Sequence, residues 1–263
     1  AAFAEEAPKT DTTPQSAVEV DGDAGAYLAA MVAANESDYT AAADWYARAL
    51  TRDPANPALL EGSVISNIGR GEITLAANDA RRLMAAGVKS QTAYLALVAD
   101  AGKAGRFDEI QKASTQGLTA GALLDGLVGA WSDIGEGRMS EALEGFDKIA
   151  KTKGLEAFGL YHKALAMASA GDFEGADDIL SGRAAGQIAV MRRGVIAHVE
   201  ILSQLERNPD ALALLDRAFG TGQDPQIDDL RRRLSAGEPL PFDVVRNATD
   251  GLGEVFFTLA TAL

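Results

Sequence analysis

Gly25 to Pro57 reads GAYLAAMVAANESDYTAAADWYARALTRDPANP. Its pattern predicts two short helices, Ala26–Ala34 and Thr40–Thr51, joined by the turn Glu36-Ser37-Asp38-Tyr39. Ala30 and Ala42 stand where the helices cross, and such small side chains let two axes approach to roughly 8–10 Å. Tyr46 and Ala49 extend the buried stripe of the second helix. Asp53-Pro54 stops it, because proline cannot continue a helix.

The turn recurs as Gly71-Glu72-Ile73, Gly105-Arg106-Phe107, Gly137-Arg138-Met139 and Gly171-Asp172-Phe173, with a degenerate sixth at Glu206-Arg207-Asn208. Successive starts are 34, 34, 32, 34 and 35 residues apart. Glycine suits a helix end because it tolerates positive φ. The large apolar third residue is placed to plug the junction between helices. Crossing pairs recur in step: Ala30/Ala42, Val64/Ala76, Val98/Ile110, Ala130/Ala142, Ala164/Ala176 and Val199/Ala211. The bulkier Val98/Ile110 pair predicts wider spacing in the third unit.

Over about residues 24–220 this pattern resembles the tetratricopeptide repeat (TPR), a helix–turn–helix unit of about 34 residues. The family's small, small, aromatic, small and Pro positions fall on Ala30, Ala42, Tyr46, Ala49 and Pro54. Its opening Trp is absent, Tyr27 standing nearest. The resemblance implies an all-α fold, a right-handed superhelical solenoid of about six hairpins over 25–220. Residues 221–263 then form C-terminal helices that continue or cap it.

Composition fits a core-forming chain: 47% of residues are apolar and 24% charged. The net charge of −14 disfavours nucleic acid, whose binders carry a basic patch, and disfavours adsorption to an anionic membrane. No apolar run approaches the ~20 residues of a membrane helix. Without cysteine there is neither a disulfide framework nor a thiolate metal site.

Residues 1–24 are rich in Ala, Thr, Pro and acid without an apolar stripe, and read as a disordered leader or linker. A start on small residues followed by acid is compatible with a signal-peptide cleavage point or with a cut in a longer chain; both readings stand. Such a chain suits a bacterial, exported protein of the periplasm or cell envelope, the cytoplasm being the alternative. Asp21-Gly22-Asp23 lacks the further acidic ligands of a calcium loop. Past Gly220, helices are expected at Gln226–Leu234, at Asp243–Thr249 and over the final LGEVFFTLATAL.

No catalytic constellation emerges, so the chain reads as non-enzymatic, without cofactor or metal. His162 and His198 are the only histidines and fall outside HExxH or HxxxH spacing. The Gly pairs at 135/137 and 220/222 lack the preceding strand of a dinucleotide fingerprint and the Lys of a P-loop. Arg231-Arg232-Arg233 is balanced by Asp228, Asp229 and Glu238.

The TPR register implies instead a concave binding groove, lined by the fifth and ninth residues of each unit. These are Tyr27 and Met31, Glu61 and Ile65, Leu95 and Ala99, Leu127 and Trp131, Tyr161 and Leu165, Ile196 and Glu200. No Lys, Asn or Arg stands among them to clamp a terminal carboxylate. An apolar, weakly acidic groove suits an apolar or weakly basic protein or peptide segment, with Trp131 and Tyr161 as anchors. The alternative is an assembly or regulatory module at the N-terminal side of a longer chain carrying further repeats or an enzymatic domain. Leu252, Val255, Phe256, Leu259, Ala260 and Leu263 make one helical stripe, widened by Phe257. Its cover is expected from outside the monomer: further repeats, or a second copy in a homodimer.

Overall fold

A computed structural model describes residues 23–220, 222 and 224–262. The expected leader therefore lies outside the described residues, except for Asp23 and Ala24. Fourteen α-helices and no strand occur among the described residues. They form six hairpins: α1 (Ala24–Asn35) with α2 (Tyr39–Arg52), α3 (Pro57–Gly69) with α4 (Ile73–Ala85), and α5 (Gln91–Lys103) with α6 (Phe107–Thr115). Then come α7 (Ala122–Gly135) with α8 (Met139–Ala150), α9 (Glu156–Ser169) with α10 (Phe173–Leu180), and α11 (Arg192–Gln204) with α12 (Asn208–Phe219). Two single helices follow, α13 (Pro225–Ser235) and α14 (Ala248–Ala262). From α1 to α13 each helix packs on the next, as in a helical-repeat array.

The six turns share one geometry. The first residue has positive φ in each: Gly71 82°, Gly105 71°, Gly137 78°, Gly171 89°, and also Ser37 61° and Glu206 59°. The residue after it (Asp38, Glu72, Arg106, Arg138, Asp172 or Arg207) donates its N–H to the carbonyl five residues back, at 2.8–2.9 Å. That bond satisfies a carbonyl the helix end would otherwise leave unpaired. In two turns the third residue plugs the next hairpin, as expected. Tyr39 covers Gly69 so closely that a Cβ there would lie 2.4 Å from the ring, and Phe107 covers Gly135 at 2.2 Å.

Every crossing residue is buried, Ala30, Ala42, Val64, Ala76, Val98, Ala142, Ala164, Ala176, Val199 and Ala211 completely. In the third unit, with Val98 against Ile110, α5 and α6 meet less extensively than the first two pairs. The core also divides there. One apolar cluster runs from Ala26 to Ala96 and a larger one from Tyr94 to Val255, with α5 contributing to both.

Buried carboxylates brace the array. Asp177 on α10 is 1% exposed. It accepts from Arg183 and Arg207, each at 2.6 Å, and meets His198 Nε2 at 2.7 Å. Burial pushes its pKa up, but these donors outweigh that and hold it below the usual carboxylate value. Arg183 thus ties the Gly/Ala-rich break back to α10, and Asp177 joins α10 to the following hairpin through His198 and Arg207.

The end of the chain departs from expectation. Residues 238–247 are irregular rather than helical at 243–249, and α14 begins only at Ala248. It does not continue the stack beyond α13. It turns back along the array and packs on α7, α5 and α9.

Candidate functional site: the inner helices and the C-terminal helix

The inner positions fall into two groups. Met31 and Ile65 are open, 40% and 44% exposed, with Tyr27, Glu61 and Leu95 half-buried beside them. Leu127, Trp131 and Leu165 are fully buried and Tyr161 is 8% exposed. Trp131 and Tyr161 are therefore not open anchors in this structure. The reason is α14, which lies over them.

Helix α14 runs antiparallel to the helices it covers. Near its start, Thr249 Oγ1 donates to the Gly102 carbonyl at 3.0 Å, at the C-terminal end of α5. Near its end, Thr258 lines one pocket with Ala157 and Phe158, which lie in the first turn of α9. Two glycines permit the approach. A Cβ on Gly251 would lie 2.2 Å from the Trp131 ring, and one on Gly102 would lie 2.6 Å from Leu252 Cδ1. Leu252 and Val255 are buried, Phe256 and Leu259 half-buried, and Phe257 is 42% exposed. The chain's own inner helices thus cover Leu252 and Val255 and part of Phe256 and Leu259, while Ala260 is exposed and Leu263 lies outside the described residues.

Polar ties fix this placement. Glu254, 2% exposed, accepts from the Tyr161 hydroxyl at 2.8 Å and from Arg193 Nε at 2.5 Å. Arg193 also donates to the Val244 carbonyl at 3.0 Å. Burial, and then the Glu254 carboxylate, drive the Tyr161 hydroxyl far above its ordinary pKa, so it stays a donor. About two turns along α11 from Arg193, buried Glu200 accepts the N–H groups of Asp243 and Val244 at 2.9 and 3.3 Å. Burial raises its pKa to about 7, against the lowering effect of those two N–H bonds. Ser203 and Gln204 hold the N–H and carbonyl of Leu240.

Beneath α14 is an aromatic cluster. Trp131 packs edge-on to Phe146, with centroids 5.5 Å apart, and donates its indole N–H to His162 Nδ1 at 3.0 Å. That bond places the proton of neutral His162 on Nε2, which has no protein partner. Burial depresses the His162 pKa to about 3. His162 is thus a neutral acceptor inside the core. His198 is tied to Asp177 in the brace between α10 and α11.

Among the described residues no three His, Cys, Asp or Glu side chains converge as metal ligands, and no helix is long and apolar enough to cross a membrane. What the arrangement can do is hold a helix: α5, α7 and α9 present an apolar bed, with Tyr161 and Arg193 aimed at a carboxylate. The sequence placed Trp131 and Tyr161 as anchors of an open groove, whereas the structure buries both beneath α14, and the sequence reading missed the roles of Arg193, Glu200 and Glu254. The signal for Glu254 was its place as the lone acid within an otherwise apolar stripe.

Comparisons with protein-family models, with curated proteins and with solved structures give no match.

Proposed function

We propose that the chain is a TPR-like, non-enzymatic scaffold, a right-handed superhelix whose inner surface receives helical protein or peptide segments. The observation that carries this reading is α14 itself, an amphipathic helix already seated on α5, α7 and α9. Helix-in-groove recognition uses anchors at i, i+3, i+4 and i+7, and Leu252, Val255, Phe256 and Leu259 follow that spacing. With this stretch filled, the partner's place is the open section nearer the start of the array. There Met31 and Ile65 are exposed, with Tyr27, Leu95 and the acidic Glu61 adjoining. Its chemistry suits an apolar segment with a weakly basic flank.

The test is affinity isolation from the native source with the wild type and with Met31→Asp/Ile65→Asp. Both side chains are already exposed, so the double variant should keep its helicity. A partner retained by the wild type and lost by the variant supports the reading. If the same proteins bind both, the open section is not the binding surface.

A further inference from the structure

Where the end of α14 meets α9 and the segment leading into α11, the chain forms a partly open pocket of about 180 Å³. Ala157, Phe158 and Tyr161 form one wall, Val190 and Met191 the second, and Thr258 of α14 with Arg193 the third. The walls are mainly apolar. Three lining residues carry polar groups, and their states differ: the Tyr161 hydroxyl already donates to Glu254. Arg193 is spoken for, since Glu254 neutralises it and the Val244 carbonyl takes a second of its N–H groups. Thr258, 2% exposed, has a hydroxyl with no partner. A buried hydroxyl without a hydrogen bond is costly, and a helical Thr has two accessible χ1 wells in which to seek one.

We infer that this pocket is a binding site for a small neutral molecule, an aromatic or branched-alkyl alcohol of the size of a cresol. Volume sets the size, because an apolar protein cavity of about 150 Å³ takes up benzene. The charge balance sets neutrality. An anion would have to compete with Glu254 for Arg193, and a cation would face the guanidinium. The unpartnered Thr258 hydroxyl sets the single polar group, which either donates to or accepts from it. This site is separate from the open section around Met31 and Ile65, and does not depend on the scaffold reading.

The test uses the full chain titrated with p-cresol and with toluene, followed by ligand-observed NMR and calorimetry. Expected are dissociation constants on the order of a millimolar or tighter, p-cresol the tighter of the two. Thr258→Val keeps the shape and removes the hydroxyl. It should leave toluene binding within about twofold and cut the preference for p-cresol at least about fivefold. Ala157→Leu fills the pocket and should abolish both. Failure of both probes to bind the wild type overturns the proposal, as does p-cresol binding that Thr258→Val leaves unchanged. Because Thr258→Val is isosteric, it decides the matter even if Ala157→Leu does not fold.

Discussion

Gly251 rests on the face of Trp131 with no room for a methyl group: a Cβ at 251 would lie 2.2 Å from Cε3 of the indole. The pair turns an exposed-groove position into core. Gly251→Ala should therefore cost about 1–3 kcal/mol by overpacking, despite the better helix propensity of Ala. Trp131→Ala should cost about 3–5 kcal/mol. Urea denaturation checks both; a Trp131→Ala protein as stable as the wild type would show that α14 does not cover the indole.

The ion pair of Arg193 with Glu254 should respond asymmetrically. Glu254's side chain is 1% exposed and Arg193's is 43%. Removing the arginine strands a buried carboxylate with only Tyr161 for a partner, whereas removing the carboxylate leaves a guanidinium that water can reach. Arg193→Met is expected to destabilise by about 2–4 kcal/mol, and Glu254→Gln, whose amide oxygen can still accept from Tyr161, by under about 1 kcal/mol. Equal losses in thermal or chemical denaturation would contradict the burial difference.

Two buried groups oppose each other in pH dependence. His162 has a folded pKa of about 3, below its ordinary 6.5. The unfolded chain therefore binds the extra proton first, and stability falls as pH drops from 6.5 towards 3. Glu200 has a folded pKa of about 7, above its ordinary 4.5. The folded chain holds that proton between pH 7 and 4.5, so stability rises as pH drops through this window. Each slope is about 1.4 kcal/mol per pH unit where only one state is protonated, so between pH 4.5 and 6.5 the two contributions nearly cancel. Glu200→Gln, whose amide oxygen can still accept the two N–H bonds, should uncover the His162 slope. Unfolding free energies of wild type and variant at pH 5 and pH 6 provide the check, and parallel profiles would refute the opposition.

Ser37 and Glu206 occupy left-handed turn positions that glycine fills in the four intervening turns, at φ 61° and 59°. A non-glycine residue there is strained by roughly 1–2 kcal/mol, partly offset by the greater freedom glycine has when unfolded. Ser37→Gly and Glu206→Gly should each stabilise by about 0.5–1 kcal/mol. Gly105→Ala, at φ 71°, should destabilise by a similar amount. Melting temperatures of the three variants test the sign.

What could be read from the sequence was what depends on near neighbours. Turn glycines, crossing alanines and the Tyr39 and Phe107 plugs are fixed by contacts within one or two hairpins, and all fell where the period put them. The return of α14 depends on the match between one apolar stripe and an apolar bed more than a hundred residues earlier. Trp131 and Tyr161 look the same in sequence whether their cover is a partner or the chain itself. Residues 243–247 were misread as helix because Arg193, some fifty residues earlier, takes the Val244 carbonyl that a helix would use internally.

The hydrogen bond from Thr249 to the Gly102 carbonyl spans 147 residues, and it changes how the molecule can be made. A linear array can build from any point, each hairpin settling on the last. Here the middle hairpins keep an unfilled apolar face until α14 leaves the ribosome. During synthesis that face is the chain's most vulnerable surface. Closing so long a loop is entropically costly but grows only logarithmically with its length. Once closed, it couples hairpins that would otherwise fray independently, so loss of α14 should loosen α5, α7 and α9 together.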